Sequence, residues 1–179
     1  LLESWEGLRL RAVEVLMTRR PWPVPLLATY WERRLGELLP GAPILVAALT
    51  SDRDERTGLS AAALAQILGP NATVLHRSDG KPEAVGTPGR QISTAHSAGL
   101  TLAIASGRRL ACDLETVKAW PVSEWTQLLS SAQYELAALI ARECPEDFDA
   151  AATRVWAAME CLKKAGIPFT PTWPLTLGA

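Results

Sequence analysis

Leu100-Thr101-Leu102-Ala103-Ile104-Ala105, the turn-like Gly107-Arg108-Arg109 and Ala111-Cys112-Asp113-Leu114-Glu115 make up the stretch on which the reading of this chain depends. An apolar run bounded by turn residues predicts a buried strand, and the Gly-Arg-Arg turn predicts a hairpin leading into a second strand over residues 111–115. Residues two apart on a strand share a side, so Asp113 and Glu115 are expected side by side, with Cys112 and Leu114 turned to the core. Paired carboxylates repel unless a cation or a shared proton lies between them, and oxygen-only donors suit a hard cation such as Mg2+. Taken alone, the more frequent reading of Asp-x-Glu is a strand end running into solvent.

Working outward, the chain has 179 residues, enough for one substantial core or two small packed lobes. A hydrophobic fraction of 48% and a charged fraction of 21% are ordinary for a globular protein. The formal charge of -1 supplies no basic field, so nucleic acid is not an expected partner and any polyanion must be held by a local cluster. Three cysteines, without CxxC spacing, suggest reduced thiols and a cytoplasmic setting. No apolar run reaches the length of a membrane span, so no membrane association is expected. A start at Leu1, without an initiator methionine, suggests a piece of a longer polypeptide.

Upstream of the acidic stretch, alternation over residues 5–17 predicts a half-buried strand, and residues 26–39 an amphipathic helix with Leu27, Tyr30, Trp31, Leu35 and Leu38 inward. Residues 44–49 read as a short strand, 50–57 as a charged solvated loop, and 60–68 as a helix capped by Ser60. A brief strand at 73–76 leads into Arg77-Ser78-Asp79-Gly80-Lys81-Pro82, where Asp-Gly predicts a tight reversal flanked by Arg77 and Lys81. Ile92-Ser93-Thr94-Ala95-His96-Ser97 sets hydroxyls around a histidine, an arrangement more often structural than catalytic. Downstream, a long helix over 123–142 capped by Ser123 and a second over 150–165, capped by Asp147 or Asp149, precede an extended tail. This order predicts an α+β fold of two similar lobes, each a small antiparallel sheet packed with helices.

On the second helix Trp156, Glu160 and Lys164 recur every four positions and share a side, while Val155, Ala158, Met159 and Leu162 supply burial on another. A surface Glu-Lys pair accounts for the charges, but not for the indole beside them.

Asp113-Leu114-Glu115 together with Trp156-Ala157-Ala158-Met159-Glu160-Cys161-Leu162-Lys163-Lys164 resembles the signature of the 4'-phosphopantetheinyl transferases. Gly80-Lys81-Pro82 and Ser93-Thr94-Ala95-His96-Ser97 resemble the family's two upstream motifs, and all four occur in family order. The resemblance is to the pseudo-dimeric type, with coenzyme A held between two lobes at about residues 43–91 and 92–179. The abrupt start and the composition of residues 5–39 further resemble the carboxy-terminal transferase region of an enediyne-type iterative polyketide synthase, which implies that residues 1–42 are a linker or the tail of a preceding domain.

The resemblance implies transfer of the phosphopantetheine arm of coenzyme A to a serine of an acyl carrier protein or domain. It implies a Mg2+ site of Asp113, Glu115 and Glu160, with the cation bridging to the pyrophosphate. It makes Glu160 the general base, directly or through a metal-bound water, and Lys164 the phosphate contact that stabilises the leaving group. Lys81, Pro82, Ser93, Thr94, His96 and Asp113 become coenzyme-A contacts. Arg77 is a further such contact or a turn-surface charge. Arg108 and Arg109 are candidates for meeting an acidic carrier. Three positions depart from the family pattern: Ala111 for glycine, Ala95 for serine and Met159 for lysine. The last two departures motivate the alternative of a non-catalytic docking or structural domain of a polyketide synthase. A further alternative is another metal-dependent phosphoryl enzyme using the same acids.

Overall fold

A computed structural model describes residues 24–38, 44–50, 56–78 and 80–167. The strand expected at 5–17, most of the charged loop at 50–57 and the tail beyond 167 lie outside the described residues. The chain divides into two compact units, whose described parts are residues 24–114 and 115–167.

The first unit is built on a three-stranded antiparallel sheet. Its elements are α1 (Val24–Leu38), β1 (Ile44–Thr50), α2 (Arg56–Leu68), β2 (Thr73–His76), β3 (Pro82–Val85), β4 (Gln91–Ser97) and β5 (Leu100–Ser106). The sheet runs β1-β5-β4, and β2 and β3 form a separate hairpin. The apolar run therefore makes the central strand, as its near-continuous hydrophobicity demands, because both faces of β5 are covered. On one face Val46, Ala95, Ile104 and Cys112 pack with Ala28, Trp31 and Leu35 of α1. On the other, Ala47 and Ala103 pack with Ala63 and Leu64 of α2. Among the described strands β1 lies at the edge of the sheet, and Glu32 of α1 accepts the Val46 N–H at 2.9 Å, which blunts that edge.

The hairpin joining β4 to β5 turns at Ala98 and Gly99, both with positive φ (50° and 71°), the geometry of a two-residue turn between twisted strands. Gly107-Arg108-Arg109 is thus not a hairpin turn, and residues 107–121 form no strand. The physical reason is that β5 already has β1 and β4 on its two sides. Instead, Leu110, Cys112 and Leu114 settle on the face of the sheet shared with α1. The expectation that strand geometry sets Asp113 and Glu115 side by side is corrected accordingly.

The second unit consists, among its described residues, of helices α3 (Val122–Leu128), α4 (Ser131–Glu143) and α5 (Phe148–Lys164) around Trp125, Leu129, Ala137, Ala152 and Val155. The single helix expected over 123–142 is broken. Leu129 is extended, and Ser130 starts α4 with a capping box in which its Oγ accepts the Gln133 N–H while Gln133 Oε1 accepts the Ser130 N–H. Ser123 caps nothing, since the residue before α3 is Pro121. Asp147, not Asp149, caps α5 by accepting the Ala150 N–H at 2.8 Å. The helix ends in a Schellman motif, with Gly166 at φ 67° and Ile167 N–H donating to Leu162 O.

The fold is α+β, with small antiparallel sheets and five helices among the described residues. Every described strand lies in residues 24–114, and the described part of the second unit is helical. One sheet takes strands from both sides of residue 91, since β1 pairs with β5 from Ile44↔Ser106 to Thr50↔Leu100. Helix α1 contributes Ala28, Trp31 and Leu35 to the first unit's core.

Cys112 is 8% exposed and packed among apolar groups, whereas Cys144 is exposed. A thiol reagent added to the folded protein is expected to modify Cys144 quickly and Cys112 only on the timescale of opening. Peptide mapping by mass spectrometry reads both rates, and rapid Cys112 modification would contradict the packing described.

Candidate functional site

Helix α5 carries the densest group of candidate residues. Val155 and Leu162 are buried in the helical unit, and Trp156 and Met159 pack against its core from the side. Trp156 is therefore half core and half site: its ring rests on apolar neighbours while its Nε1–H donates to Glu115 Oε1 at 3.3 Å. Glu160 lies one turn further along the same side of α5 as Trp156.

The segment leading from Glu115 is tied to α5 a second time. Asp149 Oδ1 accepts the Trp120 backbone N–H at 3.2 Å and the Trp125 Nε1–H at 2.7 Å, and the Trp120 and Trp125 rings lie 5.1 Å apart. Both ends of residues 115–120, which lack regular structure, are thus fixed to one helix. Sequence reasoning misassigned Asp149, offering it only as a possible cap. Its role depends on tryptophans distant in sequence, which no local pattern reveals.

The ion pair on this face is not the i,i+4 pair suggested by spacing. Glu160 accepts from Lys163 Nζ at 3.3 and 3.5 Å, with side-chain exposures of 24% and 77%. Lys164, the last residue of α5, is half-buried, and both lysines sit where the helix dipole favours cations.

In the sheet unit the period of two separates residues that the motif reading grouped together. Ser93 lies on the same face of β4 as Ala95, toward α1 and the acidic stretch, while Thr94 and His96 lie on the α2 face. Ser93 is buried at 5% exposure, and its Oγ accepts the Cys112 N–H at 3.1 Å. It is withdrawn from the set of coenzyme-A contacts. Asp113, the residue after Cys112, is half-buried and Glu115 exposed.

His96 is held at both ring nitrogens, with Nε2 2.9 Å from Ser60 Oγ and Nδ1 2.9 Å from Thr101 Oγ1. Ser60 is consequently not a helix cap. Helix α2 starts at Arg56, which puts Ser60 inside it, and its hydroxyl reaches across to β4. A phosphate approaching His96 Nε2 would have to take the place of Ser60. Arg77 and Lys81 flank the β2–β3 turn as expected, with Arg77 N–H donating to Lys81 O at 2.9 Å and Gly80 at φ 79°, while Pro82 opens β3. Arg77 is exposed and Lys81 half-buried.

Asp113, Glu115 and Glu160 offer only carboxylate oxygens, a donor set that fits Mg2+ rather than a metal preferring thiolate or imidazole. Neither unit by itself gathers three such side chains among its described residues. Compared with known proteins, the chain matches no family model and no curated protein. Among the described residues no helix is long and apolar enough to cross a membrane.

Proposed function

We propose that this chain is a Mg2+-dependent transferase that moves the phosphopantetheine arm of coenzyme A to a serine hydroxyl of an acyl carrier protein or domain. The observation that supports it most is the Trp156–Glu115 hydrogen bond, which holds one acid of the Asp-x-Glu stretch beside the helix bearing Glu160 and Lys164. Two distant motifs that are merely co-linear in sequence have no reason to meet in this way. The reading carries with it a two-lobed architecture with coenzyme A between the lobes, of which the α+β character is the part described above.

In this reading Asp113, Glu115 and Glu160 would hold the metal, and Mg2+ bound there would offset negative charge on the pyrophosphate. Glu160 accepts the proton of the carrier serine as its oxygen attacks the phosphorus joined to the pantetheine arm. The bond from that phosphorus to the bridging oxygen breaks, the new serine–phosphate ester forms, and 3',5'-ADP departs with the electron pair. Lys164 meets the charge gathering on that leaving group. Lys81 and Arg77 on the hairpin turn provide cations for the nucleotide phosphates.

One observation favours a second reading, a non-catalytic docking domain: His96 already spends both ring nitrogens within the protein. Incubation of the protein with coenzyme A, Mg2+ and a panel of apo carrier proteins, followed by mass spectrometry, separates the two. The transferase adds the phosphopantetheine arm to a carrier serine, and Asp113→Ala abolishes the addition. Undiminished modification by Asp113→Ala would remove the acidic stretch from the chemistry. No modification of any carrier, with no Mg2+-dependent coenzyme-A binding by calorimetry, would leave the docking domain.

A further inference from the structure

The acidic stretch lacks the usual means of fixing a functional carboxylate, because residues 107–121 belong to no strand or helix until α3 begins. Something else must hold Asp113 in place if it acts as a ligand. We propose that Ser93 is the positioning residue that fixes the acidic stretch on the sheet and thereby aims Asp113. This deepens the transferase reading and rests on it.

Four observations converge. Ser93 lies on β4, hydrogen-bonded to the central strand β5 with Ser93 opposite Ile104, so its hydroxyl is carried by a rigid element. It is 5% exposed, which removes it from direct contact with a ligand in solvent. Its Oγ accepts the Cys112 N–H at 3.1 Å, taking the part that a partner strand would otherwise play, and it receives a weaker Sγ–H contact at 3.7 Å. Finally, Cys112 itself is packed among Val46, Ala95 and Ile104, so the clamp and the burial act on the same residue. The hydroxyl and the apolar pocket together leave Cys112 little freedom, and Asp113 follows it directly in the chain. A displacement of about 1 Å at a positioned group is enough to lower a rate by roughly a hundredfold.

The role differs from that of a cofactor contact in a measurable way. A contact removed from coenzyme A raises the KM for coenzyme A, whereas a lost clamp on a metal ligand raises the Mg2+ requirement. In Ser93→Ala the Mg2+ concentration for half-maximal carrier modification is expected to rise roughly tenfold, with the KM for coenzyme A within about twofold of wild type. Ser93→Thr, which retains the acceptor oxygen, is expected to restore the wild-type requirement. In the absence of metal, the Cys112 amide of Ser93→Ala is expected to exchange with solvent at least about tenfold faster than in wild type, while amides of β5 are unchanged. If the alanine variant does not fold, Ser93→Cys, which keeps the shape and weakens the acceptor, serves in the same comparison. Wild-type exchange at Cys112, or an unchanged Mg2+ requirement beside an active wild type, overturns the positioning role and leaves the transferase reading standing. An inactive wild type overturns the transferase reading, and the proposed role falls with it.

Discussion

Glu160→Gln is expected to reduce carrier modification by about 10²- to 10⁴-fold, the range associated with loss of a general base, and to do so without unfolding the protein. The two parts of this expectation come from different observations. Glutamine keeps the shape and hydrogen-bonding length of the side chain but can neither accept the serine proton nor serve as an anionic ligand. The stability cost is small, because the one ion pair given up among the described residues is the solvent-screened i,i+3 contact with Lys163, worth about 0.3 kcal/mol. Glu160 is also not a residue of the helical core, which Val155 and Ala152 form on a different side of α5. Thermal unfolding by circular dichroism should therefore be close to wild type while mass-spectrometric rates of carrier modification collapse. Rates within twofold of wild type would mean that Glu160 is the surface charge its pairing with Lys163 resembles. Lys163→Ala is the internal control: it removes the same ion pair, leaves the carboxylate, and should be nearly silent in both measurements.

What the sequence could disclose was local, and what it hid was the meeting of distant segments. Helix α1, strand β1 and the β2–β3 turn were legible because apolar period and Pro or Gly punctuation agreed at each. The break between α3 and α4 was also written in the chain, as Ser130-Ser131-Ala132-Gln133. There the capping signal outweighed the apolar residues that run through Leu128 and Leu129. The acidic stretch misled for a physical reason. Cys112, Asp113, Leu114 and Glu115 alternate as a strand does, yet the same alternation suits a segment laid across a sheet face with Cys112 and Leu114 inward. The expectation of a buried Cys112 survives on that different ground. Ser60 looked like a cap because an alanine-rich run follows it, and nothing in its neighbourhood announces His96. On α5 the shared side of Trp156 and Glu160 was readable from spacing. That Glu115 is the residue hydrogen-bonded to the indole was not, since only the fold decides it.

The start of α5 depends on a second buried feature, and its removal should produce a large loss of stability in the helical unit. Arg154 Nη2 donates to Glu146 Oε2 at 2.6 Å, joining α5 to the bend that precedes it, with side-chain exposures of 28% for Arg154 and 7% for Glu146. Glu146 Oε1, Arg154 Nε and the adjacent Thr153 Oγ1 have no hydrogen-bond partner among the described residues. A pair desolvated to this degree and incompletely hydrogen-bonded contributes little net stability compared with apolar side chains of the same size. Breaking it is another matter, because Glu146→Ala leaves a guanidinium facing protein instead of water. The expected cost is about 3 kcal/mol, at the low end of the range for buried pairs because Arg154 retains some solvent. Replacing both partners, as Glu146→Leu with Arg154→Met, is expected to bring stability back to within about 1 kcal/mol of wild type. Urea unfolding of the two single variants and the double variant gives the coupling directly. A Glu146→Ala cost below 0.5 kcal/mol, roughly that of a screened surface pair, would mean that Arg154 reaches solvent freely and that the bend before α5 is held by the Asp147 cap and the Phe148 contact with Tyr134 alone.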